Sequence, residues 1–180
     1  TVYDVAPDEF AAEVAALVEK GVRAVGGCCG TTPDYIRATV KACEGIVPVP
    51  LTDKNITCIS SYTHAVTFER PVLIGERINP TGKKRMQQAL LDGDLDYVLA
   101  QGVSQAEAGA DILDVNVGLP EIDEVELLTE AVCELQAVTD LPLQIDTSDP
   151  VAMEAALRRY NGKAMINSVN GKEESLKAVL

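Results

Sequence analysis

The sequence predicts an α/β fold in two unequal parts: a helix–strand–helix piece, then an extended connector, then four βα units forming half of an eightfold barrel or one side of a doubly wound sheet. Three observations predict it. After Pro71, short apolar runs alternate four times with segments of helical periodicity. Upstream, a β-branched run at Val22 to Val25 stands between two stretches of helical spacing, and the prolines of Val47-Pro48-Val49-Pro50 hold the chain extended between the parts.

Residues 7 to 20 place Phe10, Val14, Leu17 and Val18 at helical spacing, and Gly21 supplies a C-terminal stop. The run Val22 to Val25 follows as a short strand. Thr32 and Pro33 then form an N-cap and first-turn pair, opening a helix over 33 to 43 with Tyr35, Ile36, Ala38, Thr39 and Val40. One helix–strand–helix unit cannot bury both strand faces, so this part should be poorly stable by itself. Residues 47 to 70 are read as the interdomain connector, with Ile56 to Phe68 alternating loosely like a hairpin or edge strands. The only histidine, His64, falls there and is assigned no chemistry. Beyond it the strands are expected at Val72 to Gly75, Ile112 to Val117, Leu143 to Thr147 and Ala164 to Val169. Leu95, Val98, Leu99, Val103 and Ala106 mark one helix face, Val125, Leu128, Val132 and Leu135 another, and Asp149-Pro150 begins a third helix.

The chain has 180 residues, 47% of them hydrophobic, enough for a core. Its 28 acidic against 15 basic residues give a net charge of −13, with no basic cluster of the kind that neutralises phosphates. Nucleic acid and anionic membranes are therefore excluded as expected partners. Five cysteines without framework spacing, and no signal-peptide pattern, lead to the expectation of a reducing compartment, the cytoplasm. No apolar stretch approaches the ~20 residues that cross a bilayer.

Gly26-Gly27-Cys28-Cys29-Gly30-Thr31-Thr32 sets adjacent thiols on a glycine turn where a strand gives way to a helix. Both sulfurs can face one point, and zinc favours such thiolate ligands. The alternatives are a glycine-rich turn with two buried thiols and a strained vicinal disulfide.

Each later strand ends in carboxylate or carboxamide: Glu76-Arg77-Ile78-Asn79, Asp114-Val115-Asn116, Asp146-Thr147-Ser148 and Asn167-Ser168-Val169-Asn170. In a parallel barrel these ends converge on one mouth. Asp accepts two hydrogen bonds and Asn both donates and accepts, which suits a fused heterocycle such as a pterin. Taken singly, each residue could equally cap a helix or close a turn.

These motifs carry a resemblance. Asp8-Glu9-Phe10-Ala11, Gly21 and Gly-Gly-Cys-Cys-Gly-Thr-Thr-Pro followed by Ile36 resemble the last helix–strand–helix portion of the homocysteine methyltransferase barrel. The resemblance implies that Cys28 and Cys29 hold zinc together with a third cysteine expected before Thr1; Cys43 and Cys58 are poorly placed for that role. Leu73 to Gly82, Leu113 to Gly118, Gln144 to Ser148 and Ile166 to Val169 resemble the first half of a pterin-binding barrel of the methyltetrahydrofolate methyltransferase type, shared with dihydropteroate synthase. It implies that Asp146 and Asn167 hydrogen-bond the pterin ring with Asn116 and Asn79 close by, and that a further Asp and Asn lie beyond Leu180. Both modules in this order resemble the cobalamin-dependent methionine synthases.

The family implication is therefore parts of two (β/α)8 TIM barrels: residues 1–46 the C-terminal part of a homocysteine-binding zinc barrel, 47–70 the linker, and 71–180 the N-terminal half of a pterin-binding barrel. The implied reaction moves methyl from 5-methyltetrahydrofolate through cobalamin, carried on a corrinoid domain or protein outside this chain, to zinc-bound homocysteine. Such a piece is expected to show no turnover alone. A methyltetrahydrofolate:corrinoid methyltransferase or a dihydropteroate synthase explains the second module only, and a non-catalytic binding or scaffold module is the remaining alternative.

Overall fold

A computed structural model describes residues 4–180, so the first three residues of the expected 1–46 module lie outside the described residues. The chain forms two compact units, Thr1–Asn55 and Ile56–Leu180.

In the first unit, α1 (Pro7–Glu19) and α2 (Pro33–Cys43) both carry proline in the first turn, where its missing N–H costs nothing. Gly21, at φ +107°, follows α1 and donates its N–H to the Val18 carbonyl at 2.9 Å. The helices pack through buried Ala11, Val14 and Thr39, and Phe10 meets Tyr35 edge-to-face at 5.6 Å. The expected strand at Val22 to Val25 does not form. A strand needs a hydrogen-bonded neighbour, and among the described residues this unit holds two helices and no other strand. Val22, Val25, Leu17, Ile36 and Val40 stay exposed for the same reason, as no second layer covers them.

The second unit begins with an antiparallel hairpin, β1 (Cys58–Ser60) and β2 (Ala65–Thr67). Then come β3 (Ile74–Ile78), α3 (Lys84–Asp92), α4 (Leu95–Glu107), β4 (Ile112–Val115), α5 (Glu124–Val138), β5 (Leu143–Asp146), α6 (Pro150–Leu157), β6 (Met165–Asn167) and α7 (Glu173–Val179). Strands β3-β4-β5-β6 lie parallel in chain order, the progression of successive βα units around a partial barrel. The fold is the predicted α/β fold; β4, β5 and β6 are shorter than the sequence suggested, and the first strand runs over Ile74–Ile78 in place of Val72 to Gly75. Where one helix was expected before Gly109 there are two, because Gly93 turns left-handed at φ +67° and the Asp94 side chain accepts from the Tyr97 N–H at 3.2 Å to start α4.

Side chains alternate across the sheet. Ile78, Leu113, Val115, Val117, Leu143 and Ile145 point to the helices, packing on Val98, Leu128, Val132, Leu135 and Met153. The other face carries Ile74, Ile112 and Met165 at its lower end, and these pack against Ile59 and Val66 of the hairpin. The hairpin, placed within the 47–70 connector by sequence, thus plugs the N-terminal end of the second unit's sheet. Ser60 and Lys163 exchange backbone hydrogen bonds of 2.9 Å, and the Tyr160 hydroxyl donates to the Ser60 carbonyl at 2.9 Å while accepting from the Leu143 N–H at 3.1 Å.

Candidate functional site

Above the hairpin, the same sheet face turns polar in two layers. Register pairs Asp114 with Gln144 and Gln144 with Met165 in the lower layer, and Asp146 with Asn167 in the upper one. Asn116 continues β4 by two residues from Asp114, which brings it level with Asp146. Its Nδ2 donates to Asp146 Oδ2 at 2.9 Å, and its Oδ1 accepts from the Gly118 N–H at 2.9 Å. Asn116, Asp146 and Asn167 are therefore one half-buried row along the C-terminal edge of the sheet. Asn116 and Asp146, with Thr147, Ser148, Ser168 and Asn170, line a cavity of about 420 Å³.

Asn79 sits differently. A register shift between Gly75 and Ile78 inserts an extra residue in β3, and Asn79 is buried beyond it. Its Oδ1 accepts from the Thr81 N–H at 2.9 Å, so the carboxamide oxygen closes its own turn rather than facing the cavity.

Sequence reading named Asp114 among the strand-end carboxylates but gave neither it nor Gln144 a role of its own. Asp114 is 2% exposed and accepts a hydrogen bond from Gln144 Nε2. Burial pushes its carboxyl up to about 6, the charges of Asp146 and Glu76 add to the rise, and Gln144 and Lys83 oppose it. The signal was present in the alternation Ile112, Asp114, Asn116 and Gln144, Asp146, which puts these residues on one face. Thr147 was also missed; it donates to Glu124 Oε1 at 2.5 Å and accepts from the Asp149 N–H at 3.0 Å, tying the β5 end to α5 and α6.

In the first unit the glycine turn presents both thiols. Thr31 donates through its N–H (3.1 Å) and its hydroxyl (2.5 Å) to the Cys28 carbonyl. A Cβ at Gly27 would lie 2.2 Å from Thr31 Oγ1, so only glycine allows that closure, and Gly30 takes φ +83°. Cys28 and Cys29 are free and exposed. Their sulfurs stand 3.7 Å apart. Two thiolates at ~2.3 Å from one tetrahedral zinc stand roughly 3.8 Å apart, so the pair fits two corners of such a site. Among the described residues no third His, Cys, Asp or Glu completes a metal-binding group.

Residues 75–179 match the family described as pterin binding enzyme, more than half of the chain. The chain belongs to the pterin-binding enzyme family. Residues 1–43 match homocysteine S-methyltransferase. The chain is 34% identical over 178 residues to methionine synthase of Mycobacterium leprae, and 32% over 172 residues to that of Mycobacterium tuberculosis. Each alignment covers 93% of this chain but only 15% and 14% of those proteins, so the chain spans a small part of the relatives' length. Among solved structures, dihydropteroate synthase from Xanthomonas albilineans in complex with 7,8-dihydropteroate is 29% identical, covering 68% of this chain and 44% of that one at a TM-score of 0.49. As a member of the pterin-binding enzymes, the chain has its row of Asn116, Asp146 and Asn167 inside the matched segment. No helix among the described residues is long and apolar enough to cross a membrane.

Proposed function

We propose that this chain is a segment of a methyltransferase that moves methyl from 5-methyltetrahydrofolate, via cobalamin carried on a domain or protein outside the chain, to zinc-bound homocysteine, giving methionine. The observation that carries the reading is the row of Asn116, Asp146 and Asn167 at the C-terminal edge of a parallel sheet in a pterin-binding enzyme. Asp146 accepts from ring N–H groups, held in orientation by the Asn116 amide, and Asn167 offers both a donor and an acceptor beside it. Asn79 shapes the loop at the mouth. These groups bind and orient the ring and are not nucleophiles.

Residues 1–46 act in this reading as the C-terminal part of a homocysteine-binding barrel and 71–180 as the N-terminal half of the pterin barrel, working in the cytoplasm. Cys28 and Cys29 are two of the zinc ligands. Zinc bound there lowers the pKa of a substrate thiol so that it is a thiolate at neutral pH. No described residue is assigned to cobalamin. The match of residues 1–43 to homocysteine S-methyltransferase favours the two-module enzyme over a pterin-binding barrel acting alone, which has no use for paired cysteines upstream.

The test is made on the full-length protein. Asp146→Ala should abolish binding of 5-methyltetrahydrofolate while leaving the zinc content unchanged, and Cys29→Ala should lower zinc content while leaving folate binding unchanged. Folate affinity unaltered by Asp146→Ala would sink the assignment of the row.

A further inference from the structure

Among the described residues Asp114 is the only buried side chain that ordinarily carries a charge, and the function proposed above gives it no part. The two-residue period of β4 sets it between Ile112, which packs on the hairpin, and Asn116 of the row. Gln144 Nε2 donates to its Oδ1, and no described donor meets its Oδ2. None of the ion pairs among the described residues includes it. A buried carboxylate without a cation costs several kcal/mol, and an apolar side chain would hold the position more stably. Packing alone therefore does not account for an acid here.

Register places Asp114 opposite Gln144, and Asp146 stands one side-chain step higher on the same strand as Gln144, so two carboxyl groups lie diagonally across one sheet face. Glu76 on β3 adds a third, and Lys83 at the start of α3 is the opposing cation. Ile59 and Val66 of the hairpin and Met165 of β6, packed beneath the polar layers, bring no charge.

Two carboxylates on one half-dry face do not both ionise cheaply, and solvation decides which gives way. Asp146 is half-buried and accepts from Asn116 Nδ2 at 2.9 Å, whereas Asp114 is 2% exposed. Asp114 is thus the one of the two that takes a proton first as pH falls, in keeping with its carboxyl being raised to about 6. A ring lying on the row removes the remaining water above both groups. A second charge beneath it then becomes costlier still, while its pull on the neutral N–H groups of the ring, from a step below, is weaker than that of Asp146. We propose that Asp114 is a positioning residue for the ring site: a ring settling on the row draws a proton from solvent onto the Asp114 carboxylate, and the neutral Asp114 beneath leaves Asp146 as the row's single charged acceptor. This rests on the function proposed above. No bond of the substrate changes in the step; one proton joins one carboxylate oxygen.

The experiment titrates the full-length protein with 5-methyltetrahydrofolate by calorimetry from about pH 6 to about pH 8, in pairs of buffers with different ionisation heats, for the wild type, Asp114→Asn and Asp146→Ala. The ring-bound state holds the proton more tightly, so affinity is full at the lower pH and falls as pH rises, by about three- to tenfold. The wild type should take up part of a proton on binding at about pH 7. Asp114→Asn keeps the acceptor for Gln144 and is neutral throughout; it should take up none at that position and bind at the higher pH as tightly as the wild type does at the lower, and subtracting its profile removes any titration of the ligand itself. A merely structural Asp114 would leave proton count and pH profile alike in both proteins, and that result would overturn the proposal. So would a wild type that takes up no proton, which is read without any variant, or an Asp114→Asn protein that melts like the wild type but binds more weakly at every pH. Affinity untouched by Asp146→Ala would remove the ring from the row, and the function proposed above would fail together with the proposal; affinity lost in Asp146→Ala with an unchanged proton count in Asp114→Asn would sink the proposal alone.

Discussion

Asn116 and Asp146, 30 residues apart in the chain, are joined side chain to side chain by a 2.9 Å hydrogen bond at the top of adjacent parallel strands. The bond sets the direction of the Asp146 carboxylate and leaves its second oxygen for a ligand. Asp146→Asn removes the charge with little change of shape. It should weaken 5-methyltetrahydrofolate binding by about tenfold or more, the worth of a charge-assisted hydrogen bond, and change stability by less than about 1 kcal/mol because the site is half-buried. Fluorescence titration of the full-length protein and a urea melt of the same variant measure both.

Asp114 makes stability depend on pH. Its folded carboxyl titrates near 6 against an ordinary 3.8, so the folded state holds a proton that the unfolded state has released in between. The stability it contributes is complete below about pH 4 and is lost as pH rises through 6, on the order of 2–3 kcal/mol in all. Asp114→Asn keeps an acceptor for Gln144 and removes the titration. The difference between wild-type and variant urea melts should therefore grow in favour of the variant from pH 4 to pH 8; a constant difference would contradict it.

Tyr160 couples the hairpin plug to the sheet through one hydroxyl, accepting from Leu143 and donating to Ser60. Tyr160→Phe keeps the packing but strands a buried N–H, and should cost about 1–3 kcal/mol. Burial also pushes the phenol above its ordinary value, so a spectrophotometric titration should lose a high-pH ionisation in the Tyr160→Phe variant.

Gly75 exists for Gln105. A Cβ at residue 75 would stand 2.6 Å from Gln105 Oε1, the atom that accepts the Arg77 N–H at 2.7 Å within the β3 irregularity. Gly75→Ala should destabilise the second unit by about 1–3 kcal/mol. In a Gln105→Ala background the same substitution should cost much less, and a double-mutant cycle read by chemical denaturation measures that coupling.

Much of this was legible in one dimension. Pro7, Pro33 and Asp149-Pro150 mark helix starts, Gly21 marks a stop, and the apolar runs ending in Asp or Asn mark the strands of β4 to β6, because capping and periodicity are local properties of a few consecutive residues. The buried stripe of α4 was less legible. Gly102 and Gln105 are buried there while the expected Val103 and Ala106 are only half-buried, since Gly102 admits Leu135 and Gln105 serves the β3 backbone.

By itself, then, the sequence determined the α/β alternation, the thiol turn and the residue types at the strand ends. The tertiary structure decided which of those residues meet. Strand register put Asn116, Asp146 and Asn167 in one row, the extra residue in β3 turned Asn79 into its own loop, and the lack of a neighbouring strand left Val22 to Val25 unpaired. Caps and periodicity need only contiguous residues, whereas register, bulges and the burial of Asp114 depend on hydrogen bonds and packing between segments tens of residues apart, which no local pattern encodes.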